Sequence, residues 1–208
     1  MRTLAIDSAA EACSVALYDG DELIAGECRV LGRGHAEQLV PMIAALPGKG
    51  RADRIVVSVG PGSFTGVRVG IAAARALALA WSAQIAGYPT LALVAAMALA
   101  GREEQAVVVV MTGGHGEWFV QRFAASGIPL EPVASVTPQD AARLLAEPLV
   151  AGNQAVSLVT ARGFGVALAI LPDARSFLLL GDALLGGTTP VYGRAPDARL
   201  PGPQESRA

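Results

Sequence analysis

The run Gly60-Pro61-Gly62-Ser63-Phe64-Thr65-Gly66-Val67-Arg68-Val69-Gly70 concentrates residue types that bind anions. It follows a continuous apolar stretch, residues 55–59, and opens a helical pattern. Backbone N–H groups converge at such a helix start, where the dipole favours negative charge. Glycines let the backbone approach a ligand closely, and Ser63 or Thr65 can cap the helix. The run is nevertheless no Walker loop, because no lysine follows its last glycine; Lys49 is the only lysine in the chain. Its glycine spacing does not fit the dinucleotide fingerprint either. Two readings stand side by side on local grounds: an anion-binding loop, or a tight strand-to-helix turn that binds nothing.

Other candidate chemistry is sparse. His35 and His115 are the only histidines, and neither has a second histidine at helical spacing. A zinc peptidase helix, which needs such a pair, is excluded, and no metal site is expected. Ser63 and Thr65 lack a neighbouring histidine base, and no Gly-x-Ser-x-Gly elbow occurs, so no catalytic nucleophile is assigned. Cys13 and Cys28 have no metal-ligand spacing and read as buried free thiols in a reducing compartment.

The elements that must position these residues follow from periodicity. Residues 2–7, 12–18 and 22–30 read as strands, with Asp19-Gly20-Asp21 as a hairpin signal. Residues 35–46 have helical spacing, with Leu39, Met42, Ile43 and Leu46 on one side, although Pro41 removes a hydrogen bond there. Residues 55–59 form a strand buried on both faces, and a helix over 67–82 follows the glycine loop. Residues 76–101 carry no charge and are numerous enough to span a bilayer, but Gln84, Gly87 and Pro89 divide them into helix, short strand and a second helix over 91–100. The second half begins near Glu103, with strands over 107–111, 118–123 and 133–136. Thr137-Pro138-Gln139-Asp140 then starts a helix. The pattern weakens after Gly152; residues 173–185 read as a last helix, and the tail from Pro196 is proline-rich. The sum is two α/β lobes of one general plan, 1–102 and 103–208.

Composition points to a partner. Hydrophobic residues make up 52% and charged ones 16%, an apolar balance that calls for burial in a membrane or another protein. A net charge of -2 supplies no basic field for nucleic acid. The first seven residues meet Asp7 too early for a secretory apolar core, so a cytosolic location is expected. Gly66, Gly70, Ala74, Ala78 and Ser82 recur every fourth residue, and glycine within a helix costs about 1 kcal/mol against alanine. Such a ridge of minimal side chains lets another backbone come close, whether in the same lobe or in a second molecule, and the second is the preferred reading. Arg68 and Arg75, seven apart on one face, either meet a partner's carboxylates or stand in solvent. Trp81 reads as core.

Ala5-Ile6-Asp7-Ser8, Glu11-Ala12-Cys13-Ser14-Val15-Ala16-Leu17, His35-Ala36-Glu37-Gln38-Leu39-Val40-Pro41 and the whole 60–70 run resemble the TsaB (YeaZ) family. Pro190-Val191-Tyr192-Gly193-Arg194 is similar to that family's closing pattern. The likeness is dense over residues 1–100 and thin beyond. It implies an actin-like, ribonuclease H-like fold of two lobes, the second degenerate. It also implies a nonenzymatic subunit that pairs with the catalytic relative TsaD and supports the ATPase TsaE in making threonylcarbamoyladenosine in transfer RNA. The chain would self-associate when alone and touch the RNA only indirectly. It would need no cofactor of its own, with ATP or ADP belonging at an interface of the complex.

The partner-facing set expected from ridge and resemblance is His35, Glu37, Leu39, Val67, Arg68, Gly70, Ile71, Ala74, Arg75 and Ala78. By the same resemblance Asp7 stands where actin-like enzymes hold magnesium through water, and Ser8, Gly60, Gly62, Ser63 and Thr65 are nucleotide-proximal. A stand-alone kinase or ATPase is the alternative these residues leave open. Ala9, Ala10 and Glu11 crowd the turn where glycine normally follows in working phosphate hairpins, which makes Asp7 look vestigial. The chain departs from the family at Met111-Thr112-Gly113-Gly114-His115-Gly116, where Asp-Ala-Arg is usual.

Overall fold

Alternation along the strands sorts the side chains into layers. The computed structural model describes residues 1–102, 105–181 and 186–193. Leu4 and Ile6 of β1 (Arg2–Asp7) point to one buried cluster and Ala5 to another, as the period of two in a strand requires. β2 (Ala12–Asp19), β3 (Glu22–Val30), β4 (Arg54–Ser58) and β5 (Gln84–Tyr88) complete a sheet of order β3-β2-β1-β4-β5. Its first three strands are an antiparallel meander, and β1, β4 and β5 run parallel. β6 (Val107–Thr112), β7 (Trp118–Phe123), β8 (Ala134–Val136), β9 (Leu149–Ala151) and β10 (Val166–Leu168) form a second sheet of order β10-β9-β6-β7-β8. The same sequence of antiparallel and parallel pairings recurs in it. The repeat is reduced: β8, β9 and β10 have three residues each.

Five layers result. α1 (His35–Ala45) and α2 (Phe64–Trp81) cover the outer face of the first sheet. α3 (Thr90–Leu99) and a 3-10 helix (Ala174–Leu180) lie between the sheets. α4 (Pro138–Leu144) and α5 (Ala155–Arg162) cover the outer face of the second. The α3 part of the uncharged run over 76–101 is explained by this position. Thr90 through Ala95 are all buried, and a helix apolar all round is one enclosed on every side. α2 is long and apolar enough to cross a bilayer by length and composition, but one of its faces is packed on its own sheet. Pro41 sits within α1; it and Glu37, whose carbonyl it leaves without an N–H, are both exposed to water.

The final third corrects the sequence reading. Where the pattern weakens after Gly152, the structure holds α5 and β10, with β9 just before. These elements are three to eight residues long, too short for periodicity to register. The last helix expected over 173–185 is the 3-10 helix instead, and residues 182–185 lie outside the described residues. It is held to the first sheet through both backbone groups of its first residue: Ser14 Oγ accepts from Ala174 N (2.9 Å), and Tyr18 Oη donates to Ala174 O (3.0 Å). Glu103, Arg194 and the tail from Pro196 also lie outside the described residues.

The small-residue ridge of α2 faces inward. Gly66, Gly70, Ala74 and Ala78 are buried, and a β-carbon on Gly66 would collide with the backbone oxygen of Ser8. One on Gly70 would lie 2.5 Å from Ser8 Oγ and 3.4 Å from Val57 Cγ2. The helix starts so close to β1 that only hydrogen fits. Gly66→Ala should therefore lower stability by about 1–3 kcal/mol, since backbone on both sides must move. A chemical denaturation midpoint equal to wild type would contradict this packing.

Candidate functional site

A cleft of about 760 Å3 opens between the lobes. The β1–β2 turn (Ala9, Ala10, Glu11), the loop Pro61–Gly62–Ser63, and the β6–β7 turn at Thr112, Gly113 and Gly114 converge on it. Phe64, Met111, Phe119 and Tyr192 give its walls an apolar, aromatic character. A clasp between the lobes crosses it: Asn153 Nδ2 donates to both carboxylate oxygens of Glu11 (3.1 and 2.9 Å) and to Thr112 Oγ1 (2.9 Å). Thr112 N in turn donates to Asn153 Oδ1 (2.9 Å), and Gln154 Nε2 to Thr112 Oγ1 (2.9 Å).

The six residues expected near a nucleotide divide. Gly62 and Ser63 line the cleft; Asp7, Ser8, Gly60 and Thr65 do not. Asp7 is completely buried beneath its turn, accepting from Ala9 N (3.0 Å) and Tyr88 Oη (3.1 Å). Ser8 Oγ is turned inward and donates to Gly66 O (2.8 Å). Three N–H groups of the loop and helix start are spent on the lobe itself. Ser63 N donates to Ala9 O (2.7 Å), Gly66 N to Ser63 Oγ (3.2 Å) and Val67 N to Ser63 O (2.9 Å). A β-carbon on Gly62 would collide with the Ala9 carbonyl. Close backbone approach is what these glycines serve, so the strand-to-helix turn is the reading the geometry favours over an anion loop.

Of the ten residues expected to face a partner, seven are buried in their own lobe: His35, Leu39, Val67, Gly70, Ile71, Ala74 and Ala78. His35 begins α1, and its Nε2 lies 2.8 Å from Ala10 O, tying the helix to the β1–β2 turn. Glu37, Arg68 and Arg75 are exposed. In the isolated chain the two arginines do not stand free in solvent: Arg68 donates to Tyr192 Oη and Arg75 to Thr188. The outward side of the helix pair is made of other residues. Val40 (56% exposed) and Ala44 of α1 share it with Ala72, Ala76 and Leu79 (86% exposed) of α2. These α2 positions fall on the side opposite the buried ridge at about 100° per residue. The sequence reading counted small residues correctly but assigned the wrong one of two such stripes to the exterior.

Tyr88, Ser58 and Thr90 were not singled out from sequence, yet they form the polar floor beneath β1, with Ser58 Oγ 2.6 Å from Thr90 Oγ1. The arginine contacts to residues 188 and 192 span more than a hundred residues and leave no local signal. Glu11 was noticed only as crowding the turn; a charge among alanines at a strand start was the clue to its clasp. His115 lies exposed in the β6–β7 turn with φ of 58°. Burial pushes the Cys13 and Cys28 thiols up to about 12 and about 11, so both remain protonated near neutrality.

Two five-stranded sheets of matching order, each covered by helices and closing on a shared cleft, define a two-lobed α/β protein of the actin-like class. YeaZ from Pseudomonas aeruginosa is similar to it over 92% of this chain and 99% of that one, at 27% identity and a TM-score of 0.76. The tRNA threonylcarbamoyladenosine biosynthesis protein TsaB of Escherichia coli (strain K12) is 41% identical over 96 residues, and that of Bacillus subtilis (strain 168) 36% over 90. Those alignments take in 44% and 41% of this chain and about two fifths of each relative's own length, 41% and 38%. The family model described as "TsaD: tRNA N6-adenosine threonylcarbamoyltransferase" matches residues 29–182. The chain belongs to that family, and within it to the TsaB (YeaZ) branch.

Burial, opposed by the hydrogen bonds of Ala9, Tyr88 and Ser58, pushes the Asp7 carboxyl up to about 6. Between about pH 4 and pH 6 the folded chain thus keeps a proton that the unfolded chain releases, and stability falls as pH rises through that window. Asp7→Asn keeps the shape and removes the charge. It should abolish that slope and raise stability at pH 7 by roughly 1–3 kcal/mol. Urea midpoints from pH 4 to 7.5 decide it: parallel curves for the two proteins would mean that Asp7 is not held protonated.

Proposed function

We propose that the chain is a noncatalytic pairing subunit in the synthesis of threonylcarbamoyladenosine in transfer RNA, and that it docks on TsaD through the outward face of α1 and α2. The observation that carries this reading is the exposed stripe Val40, Ala44, Ala72, Ala76 and Leu79, with Glu37, Arg68 and Arg75 around it. An apolar patch rimmed by charge marks a protein contact, and small side chains let a second helix pair come close. TsaD, whose family model spans most of this chain, is expected to present the same helix pair, so two similar faces meet about a pseudo-twofold axis. A second copy of this chain would fit the same face when TsaD is missing. The relatives' printed names, which speak of tRNA threonylcarbamoyladenosine biosynthesis, support the process.

In this reading residues 1–102 form the docking lobe and 103–208 the supporting one. Asp7 contributes to folding rather than to phosphate binding, because it is sealed from the cleft by its own turn. The chain uses no cofactor of its own; ATP or ADP belongs with TsaE at an interface of the complex. With a net charge of -2, contact with the RNA is indirect, and the working compartment is the cytoplasm.

The test is co-purification with TsaD. Leu79→Asp and Ala76→Arg, both at exposed positions, should weaken the pairing about a hundredfold or more while thermal stability stays within a degree or two of wild type. Gly70→Leu should instead unfold or destabilise the lobe. Full retention of TsaD by the Leu79 and Ala76 variants would sink the interface. ATP hydrolysis by the pure chain that disappears in Asp7→Ala would favour a stand-alone ATPase.

A further inference from the structure

Beyond the second lobe the chain returns to the first. Residues 186–193 run beside β5, the edge of the first sheet: Gly186 and Gly87 exchange backbone hydrogen bonds (2.8 Å each), and Val191 N donates to Val59 O (2.8 Å). The edge is shaped to receive them. A β-carbon on Gly87 would lie 2.5 Å from Gly187 O, and one on Gly60 would lie 2.7 Å from Val191 O. Val191, Tyr192 and Gly193 then form part of the cleft wall. A β-carbon on Gly193 would lie 2.5 Å from the Phe119 ring of the second lobe.

Two hooks from α2 hold this strap from the side. Arg75 donates through Nη2 to Thr188 O (2.9 Å), and through Nε and Nη2 to Thr188 Oγ1 (3.2 and 3.1 Å). Arg68 donates through Nη2 to Tyr192 Oη (2.9 Å), while its guanidinium lies 3.3 Å above the Phe64 ring centroid. The Phe64 and Tyr192 rings are 6.1 Å apart, so guanidinium and two rings make one stack at the cleft mouth. Both arginines are exposed, and they flank Ala72 and Leu79 on the outward face of the helix.

We infer that residues 186–193 are a latch on the inter-lobe cleft whose arginine hooks are shared with the docking face. A partner seated on α1 and α2 that offers carboxylates to Arg68 and Arg75 draws them from Tyr192 and Thr188 and frees the strap. The coupling rests on the docking reading above; the latch itself does not. Water-exposed hydrogen bonds hold the strap, which places it among the segments that open before the fold does.

Hydrogen exchange of the full chain tests both parts. In Arg68→Ala/Arg75→Ala the amides of Gly186 and Val191 should exchange about tenfold faster, with β1 amides unchanged. Tyr192→Phe/Thr188→Val, which leaves α2 untouched, should accelerate the same two amides in the same way. No acceleration, or an equal one in β1, overturns the latch. With TsaD added to the wild-type chain, the two amides should exchange faster still, and unchanged or slower exchange overturns the coupling. Failure of TsaD to bind at all removes the docking reading and the coupling with it, while the two variants still judge the latch.

Discussion

A backbone-on-backbone contact sets the geometry of the first lobe. The loop after β4 lies directly on the turn between β1 and β2, with Ser63 N bonded to Ala9 O and no room for a β-carbon at Gly62 or Gly66. This arrangement puts main chain on main chain. The N–H groups of Ser63, Gly66 and Val67 are bonded within the lobe, and Asp7 is sealed beneath. The same closeness draws the first half of α2 down onto β1 and β4, which is why its inner face carries glycine and alanine. Leu or Val there would pack well against a more distant sheet; against this one they would collide.

The consequence for recognition is geometric. With its small residues committed inward, α2 has a second stripe left for the outside, Ala72, Ala76 and Leu79, beside Val40 and Ala44 of α1. Charges do not cross this stripe but flank it. Arg68 and Arg75 are turned toward the chain's own residues 192 and 188, so the flank of this exposed stripe is also the anchor of a segment lining the cleft. One helix thereby serves three surfaces: the sheet below, the exterior above and the strap at its side.

Much of the fold was legible because its signals were local. The Asp19-Gly20-Asp21 hairpin, the apolar run of β4 and the Thr137 cap, whose hydroxyl accepts from Asp140 N (3.1 Å), each announce themselves within a few residues. Short elements after Gly152 did not, because three residues of strand carry no period. For the site the limit was different. A four-residue spacing of small side chains shows that something comes close to a helix, without showing whether it is the protein's own sheet or a stranger. Gly66 and Gly70 answer that mainly through Ser8, about sixty residues away, and Arg68 through Tyr192. Burial in a chain is decided by such distant pairs, and a single sequence does not display them.

Internal repetition supports the structural reading of the glycine loop. In the second lobe β9 ends as β4 does in the first, and a glycine of positive φ follows at once: Gly152 at 117°, after Ala151, matches Gly60 at 95°, one residue beyond Val59. A β-carbon on Gly152 would collide with Val110 O of β6, the strand that corresponds to β1. The second lobe thus turns from a central strand into a helix by pressing bare backbone against β6, whereas in the first lobe Gly62 and Gly66 press theirs against the β1–β2 turn and Gly60 lies against Val191. What differs is the residue that comes next. Pro61 and Gly62 keep the first turn flush with the hairpin, whereas Asn153 carries a carboxamide across the cleft to Glu11. Two turns, one packed flat and one reaching over, thus let a carboxylate and an amide bridge the lobes directly.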